Sequence, residues 1–337
     1  MSLEDIIRRF RKPGRRDPRE FVTTWTEEEI LDSKVVDCYV IVLRTRGCYW
    51  SRTSGCSMCG YIFDCAEEAS PDEIASQFEM AMESYKGQPF IKIYTSGSFL
   101  DTDEIEFEAA IEILGHALDE ADRVLIESRP EFVSPGRLEC LPSPRRVEIA
   151  FGLESANDVV LQRSINKRMT FEDFRSACKI CREMEIRTRA YLLIKPPFLT
   201  EKEALRDAIS TARASSELVD TISFNPVNVQ RNTLVEYLWR RGEYRPPWLW
   251  TVIDALMSIG GLGPRILVSS VGAGSRRGAH NCGKCDPGIV DFLEDFSLGR
   301  QSTPPEIECT CKEEWLTLLD VQGPMQASAD PAFFFDR

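Results

Sequence analysis

Val35–Leu43 is apolar on both faces of a strand: Val36, Cys38, Val40 and Val42 alternate with Val35, Tyr39, Ile41 and Leu43. A strand with no polar face needs cover on both sides, the condition of a parallel sheet flanked by helices. The chain then repeats that beginning. Strands are expected at 35–45, 90–95, 123–127, 147–152, 187–194 and 221–225, with segments of helical spacing between them. Three of those helices carry capping-box starts, Ser70-Pro71-Asp72-Glu73, Thr170-x-x-Asp173 and Thr200-x-x-Glu203. A fourth is expected to start at Asp101–Glu104, and a short one over Trp25–Glu29 to lead into the first strand. Six βα repeats with right-handed crossovers make an α/β partial (β/α)6 TIM-like barrel. Alternation breaks from Gly260, where a candidate strand at 265–270 enters a small cysteine-rich extension. The expected division is therefore a basic N-terminal arm with its lead-in helix (1–33), the barrel (34–260), the extension (261–320) and a tail (321–337) containing Phe333–Phe335.

Composition narrows the function. A net charge of −13 is a poor balance for a surface that grips nucleic acid everywhere, so any such contact must be local or shared with a partner. The densest basic run, Arg8, Arg9, Arg11, Lys12, Arg15 and Arg16, is either a solvated arm or a phosphate or partner contact; Arg240/Arg241 and Arg276/Arg277 pose the same choice. No apolar run reaches the ~18 residues of a membrane span. Twelve cysteines in a chain of 337 residues without a secretory leader read as metal ligands and core thiols, and a cytoplasmic location is expected. Cys178 and Cys181 lie on one apolar helix face with Phe171, Phe174, Ala177 and Met184, and Cys38 lies within the first strand; all three are expected in the core.

The chemistry centres on Arg46–Tyr61, where Cys48, Cys56 and Cys59 follow the first strand as C-x7-C-x2-C. Thiolates this close in sequence converge on one soft metal centre. Three are one fewer than a fully ligated cubane takes, which leaves an iron open to substrate. The alternatives are a zinc knuckle lacking a ligand and loop cysteines without metal. In parallel barrels the working residues follow the strands' C-terminal ends. Those segments are Thr95–Phe99, Glu127-Ser128-Arg129, Gly152-Leu153-Glu154-Ser155 and Asn225. A second set, Cys282-x2-Cys285 and Cys309-x1-Cys311, supplies four thiolates across a 23-residue gap and suits tetrahedral structural zinc. A second iron–sulfur cluster, or His280 in place of one cysteine, is the alternative. His116 sits in an expected helix and is read as structural.

The first cysteine set resembles the radical S-adenosylmethionine (SAM) superfamily, whose usual spacing is C-x3-C-x2-C. The first gap here is longer, and Met58 stands where an aromatic is usual, with Tyr61 two residues after Cys59. The resemblance implies a 4Fe-4S cluster on Cys48, Cys56 and Cys59. It also implies SAM held by some of Tyr61, Ser96, Gly97, Ser98, Glu127, Arg129, Glu154, Ser155, Arg168 and Asn225. Gly97 would lie at the methionyl amine, Glu154 and Ser155 at the ribose or amine, Arg129 or Arg168 at the carboxylate and Asn225 at the adenine.

A closer resemblance covers roughly residues 20–320. The segments LRTRGCYW, GCSMCGY, ESRPEF, GLESAND, IKPPFLTEKEA, NPVNVQRNTLVEYLWRRGEYRPPWLW and AHNCGKCD are similar to the radical SAM family that makes archaeosine in archaeal tRNA. That family implies a lyase cleaving a C–N bond of the lysine adduct of 7-cyano-7-deazaguanine in tRNA. Its partners would be a lysine-transferase subunit that holds most of the tRNA and an electron donor. An elongator-like tRNA-modifying radical SAM enzyme is the runner-up, although no acetyltransferase-sized region follows the barrel. A non-catalytic iron–sulfur and zinc scaffold is the reading from another class.

Overall fold

The computed structural model describes residues 2–322. One eight-stranded sheet runs in sequence order: β1 (Thr23–Leu31), β2 (Lys34–Val42), β3 (Phe90–Tyr94), β4 (Arg123–Ser128), β5 (Val147–Glu154), β6 (Arg187–Ile194), β7 (Thr221–Pro226) and β8 (Arg265–Val268). β1 pairs antiparallel with β2, and every later pair is parallel. The sheet curls into a partial barrel with β1 and β8 at its two edges. The three expected capping boxes are formed, opening helices Pro71–Met82, Phe171–Glu183 and Glu201–Ser215. These helices and Phe107–Glu120 cover the outer face, and the core between them and the sheet includes Ile41, Ile93, Ile126, Ile149 and Phe224. Cys178 and Cys181 are buried in that core, and Cys38 packs inside the barrel with Val40, Phe90, Leu125 and Ala150. All twelve cysteines are free thiols. Among the described residues no helix is long and apolar enough to cross a membrane.

Three local expectations are corrected. Trp25–Glu29 is not a helix but part of β1. Asp32 and Ser33, both at positive φ (45° and 68°), make a two-residue hairpin turn, whose twist matches that of the strands it joins. The glutamates that suggested a helix alternate toward the barrel. Glu29, 3% exposed, meets Lys92 at 2.8 Å, Arg189 at 3.1 Å and Arg265 at 2.6 Å. Burial raises the Glu29 carboxyl's pKa, but these three cations outweigh it and hold the group well below the ordinary range. Because Arg265 is on β8 and also donates to the Ile30 carbonyl (3.1 Å), the same contacts tie together the two edges of the sheet.

The helix expected from Asp101 begins at Phe107. Asp101–Ile105 forms a turn instead, from which Glu104 reaches back to buried donors described below. The extension expected from residue 261 contributes β8 to the barrel, so the six expected repeats gain a seventh parallel strand. The expected tail lies outside the described residues, except that 321–322 end the helix Thr310–Gln322.

The N-terminal segment packs against the body rather than extending from it. In its helix Leu3–Arg8, Ile6 and Ile7 are buried with Leu161, Ile165, Val229 and Val235. Phe10 lies 5.0 Å, centroid to centroid, from Tyr237.

Candidate active site and metal centres

The loop after β2 carries the three cysteines. Its long first gap holds a short helix, Tyr49–Thr53, whose Trp50 is buried. Trp50 Nε1 donates to the Asn166 carbonyl (2.6 Å), and Asn166 Nδ2 donates to Ser54 Oγ (2.9 Å) and the Gly55 carbonyl (2.8 Å). Asn166 sits at φ 62°, a backbone conformation that asparagine tolerates better than most residues. The second half of the loop is held by Ser57 N to Ile165 O (2.8 Å) and by Gly60 N to Gln230 Oε1 (2.5 Å). The segments after β5 and β7 therefore set the shape of the cysteine loop.

Burial pushes all three thiols up; Arg129 pulls Cys48 back, Lys167 pulls Cys56 and Arg11 pulls Cys59. Each thiol is also raised by the charge of another member of the set: Cys48 by Cys56, Cys56 by Cys59 and Cys59 by Cys48. Among the described residues, the sulfurs of Cys282, Cys285, Cys309 and Cys311 gather within 4.8 Å of one another. Tetrahedral bonds of 2.3 Å to one zinc would set sulfurs about 3.8 Å apart.

Thr95–Ser98, after β3, lies against the first cysteine. The Gly97 backbone is so close that a Cβ there would lie 2.6 Å from both N and Cα of Cys48. Beneath it Glu104, 2% exposed, accepts from Thr45 Oγ1 (2.5 Å) and Ser98 N (2.6 Å), and burial raises its carboxyl to about 7. Glu104 thus joins the start of the cysteine loop to the loop after β3. Ser96 is buried, and its carbonyl accepts from Cys48 N (3.4 Å).

The remaining candidates divide. Glu127, Glu154 and Tyr61 face the barrel mouth. Tyr61 is 56% exposed, yet its neighbours are Cys59, Glu127, Tyr94 and Gln230, so the opening it faces is that of the barrel. Glu154, at φ 68° beside an irregularity in the β5–β6 register, pairs with Lys167 Nζ at 2.7 Å. Glu127 has no ion pair among the described residues; burial raises its carboxyl to about 7, against a hydrogen bond from Tyr191 that lowers it. Asn225 sits at the end of β7, accepting from Ser223 (3.1 Å).

Arg129 is engaged within the protein. Its Nε meets Glu131 at 2.6 Å, and NH2 donates to the carbonyls of Lys167 (3.0 Å) and Arg168 (3.1 Å). Ser98 Oγ accepts from Arg129 N (3.0 Å). Arg168 is exposed, at φ 52°, with its guanidinium over Trp50 at 5.2 Å. Ser155 turns outward: it is fully buried and donates to Asp207 Oδ1 (2.8 Å) on the helix Glu201–Ser215. Sequence reasoning missed Glu104, Asn166, Lys167 and Gln230. Only the position of Lys167, one residue before Arg168, hinted at any of them.

The expected basic contacts are largely used internally. Arg8 pairs with Glu4 and donates to Thr53 O (2.9 Å), and Arg16 lies 3.7 Å from Asp64. Arg240 and Arg277 share Glu236 (3.0 and 2.9 Å), and Arg241 pairs with Glu243 (2.9 Å). Arg9, Lys12, Arg15 and Arg276 are exposed.

In the C-terminal group, sulfur separations are 3.5 Å (Cys282–Cys309), 3.5 Å (Cys285–Cys311), 3.4 Å (Cys309–Cys311) and 3.9 Å (Cys282–Cys285). Asn281 Nδ2 and Trp250 Nε1 donate to the sulfurs of Cys285 (3.4 Å) and Cys311 (3.3 Å), as outer partners of metal ligands commonly do. His280 is not in the group; its Nδ1 lies 2.8 Å from the Gly278 carbonyl. The four thiols could hold one metal ion. Such a bond would tie the helix Thr310–Gln322, with Cys311 in its first turn, to the loop after β8.

No family model matches the chain. Among solved structures, methylornithine synthase aligns over 88% of this chain and 85% of its own, with 13% identity and a TM-score of 0.49. A queuine lyase from Clostridium spiroforme, bound to SAM and queuine, aligns over 64% and 89%, with 16% identity and a TM-score of 0.45. Curated relatives are much nearer. The archaeosine synthase subunit beta of Methanosarcina acetivorans is 37% identical over 338 residues, 96% of this chain and 97% of the relative. The subunit of the same name from Thermococcus kodakarensis is 36% identical over 314 residues, 89% and 97%. Identity at this level along nearly the whole of both chains shows that the chain belongs to the archaeosine synthase subunit beta family.

Proposed function

We propose that this chain is a radical SAM lyase of archaeosine biosynthesis, which cleaves a C–N bond of the lysine adduct of 7-cyano-7-deazaguanine in tRNA and leaves the formamidine. The observation that carries the reading is the set of three thiols in the loop after β2, each raised by the charge of another, with the Gly97 backbone packed directly on Cys48. The family assignment supports it.

Cys48, Cys56 and Cys59 would hold a 4Fe-4S cluster. When bound, that cluster supplies one electron to SAM, whose 5′-deoxyadenosyl fragment then takes a hydrogen from substrate. The chain's own part is positioning and exclusion of water. Gly97 and Ser96 offer backbone close to Cys48 and would hold the methionyl group of SAM. Glu154, Asn225 and Tyr61 would hold its nucleoside. Arg129 acts by fixing the 167–168 segment, and Ser98 by accepting from Arg129 N. Glu127, which forms no ion pair among the described residues, suits an ammonium group of the lysine adduct. Cys282, Cys285, Cys309 and Cys311 would hold zinc, for which the donor set and sulfur spacing fit. The relatives' subunit name supports a partner subunit, and the chain's acidity supports a division of labour in which that partner, a lysine transferase on this reading, holds most of the tRNA.

Protein prepared without oxygen and reduced with dithionite should convert SAM to 5′-deoxyadenosine, which a scaffold would not do. Deuterium on the lysine carbon next to the amidine nitrogen should appear in that product. Its absence would exclude hydrogen abstraction at that carbon.

A further inference from the structure

Three cations act on the thiols of the cysteine loop, Arg129, Lys167 and Arg11, and two are neutralised. Lys167 lies 2.7 Å from Glu154, and Arg129 lies 2.6 Å from Glu131. The third is Arg11, which has no ion pair among the described residues and which sequence reasoning placed with solvent or phosphate. Its NH2 donates to the Cys56 carbonyl (3.3 Å), and its NH1 is buried with no hydrogen-bond partner. The guanidinium occupies space available only because residue 55 is glycine: a Cβ there would lie 1.5 Å from Arg11 NH2. Gly55 itself sits at φ 94°.

The approach is held from both sides along the chain. Before Arg11, Ile6 and Ile7 are buried and Arg8 Nε donates to Thr53 O (2.9 Å). After it, Gly14 N donates to Ile62 O (2.8 Å), and a Cβ at Gly14 would lie 2.1 Å from Phe63 O. A buried donor without a partner costs on the order of 1–3 kcal/mol, more when charged, so it is seldom left in a folded protein without compensation. On the cluster reading a compensating acceptor is at hand, since thiolates and cluster sulfides carry negative charge and accept hydrogen bonds.

We propose that Arg11 is a positioning and tuning residue for the iron–sulfur cluster: its guanidinium, with NH1 buried and unpaired, faces the cluster and stabilises the reduced form. Hydrogen bonds to sulfur and local net charge are among the protein's principal controls on cluster potential. Reduction adds one negative charge, which a nearby unpaired cation favours. The inference rests on the cluster reading above.

The test is potentiometry of the reconstituted full-length protein, followed by the electron paramagnetic resonance of the reduced cluster. Iron and sulfide analysis comes first, because a wild-type protein without a 4Fe-4S cluster would overturn the cluster reading itself. With the cluster present, R11Q should lower the reduced-to-oxidised ratio at a fixed potential about tenfold, about 59 mV for a one-electron couple. R11K should retain most of the wild-type ratio. G55A, which evicts the guanidinium while leaving Arg11 in the sequence, should shift the ratio in the same direction as R11Q, and it decides the matter if R11Q fails to hold iron. Wild-type ratios in R11Q, or in G55A where that variant decides, would overturn the role of Arg11 and leave the cluster reading intact.

Discussion

Lys167 Nζ and Glu154 Oε1 lie 2.7 Å apart at the barrel mouth, both side chains about a tenth exposed. Glu154 comes from the end of β5, where the backbone passes through φ 68°, and Lys167 follows the Asn166 hook that holds the cysteine loop. Removing one member of such a pair strands a buried charge, at a cost of about 3–5 kcal/mol. Lys167→Met should therefore destabilise the metal-free protein by that order in denaturant unfolding. The double variant Lys167→Met/Glu154→Gln should recover much of the loss. A loss in the double variant equal to the sum of the losses in Lys167→Met and Glu154→Gln alone would show that the pair is not coupled.

The two cysteine sets should lose metal independently. Replacing Cys48, Cys56 and Cys59 with alanine should remove iron and inorganic sulfide and leave about one zinc per chain. Cys282→Ser/Cys285→Ser should do the reverse. Elemental analysis of anaerobically prepared protein distinguishes the two. If iron persists in the first variant, the cluster is not on those residues.

Gly97→Ala is the smallest change expected to block cluster assembly. Its methyl group would lie 2.6 Å from Cys48 backbone atoms and 2.1 Å from Glu104 Oε2, and backbone cannot rotate away as a side-chain tip can. Iron content should fall several-fold while the C-terminal metal is retained. Full iron occupancy with normal SAM binding would show that the two loops can separate.

Stripping the C-terminal metal should loosen the helix Thr310–Gln322 before the barrel melts. Trp315 Nε1 donates to Thr251 Oγ1 (2.8 Å), and Trp250 Nε1 lies against the Cys311 sulfur. A chelator should therefore red-shift tryptophan emission at temperatures where barrel circular dichroism is unchanged. No shift after complete metal loss would mean that packing alone holds the helix.

Asp207 provides a pH test away from both metal centres. Burial raises its carboxyl to about 6 despite the Ser155 hydroxyl it accepts from, and its Oδ2 is buried without a partner. A carboxyl raised on folding binds its proton more tightly in the folded state. Stability from this group is therefore present at low pH and is lost as pH rises from about 4 to about 6. Asp207→Asn should flatten that part of the stability profile, by on the order of 3 kcal/mol across the window. Parallel wild-type and variant profiles would exclude Asp207 as the source.

Much of the architecture is a short-range property, and the sequence alone carries it. The two-faced apolar run at Val35–Leu43, the capping boxes at Ser70, Thr170 and Thr200, and the cysteines at close spacing each encode their outcome within about ten residues. Tertiary structure decided whatever depends on partners distant along the chain. Glu27 and Glu29 read as helix formers until Lys92, Arg189 and Arg265 draw them into a strand, one of those partners 160 positions away. Arg11 reads as a surface cation until the chain folds it onto Cys56, 45 positions on. Ser155 reads as a ligand contact until Asp207 turns it outward. Periodicity and spacing report which face of an element is apolar, but a charged or hydroxyl group takes its role from the group that ends up opposite it, and only the closed barrel fixes that.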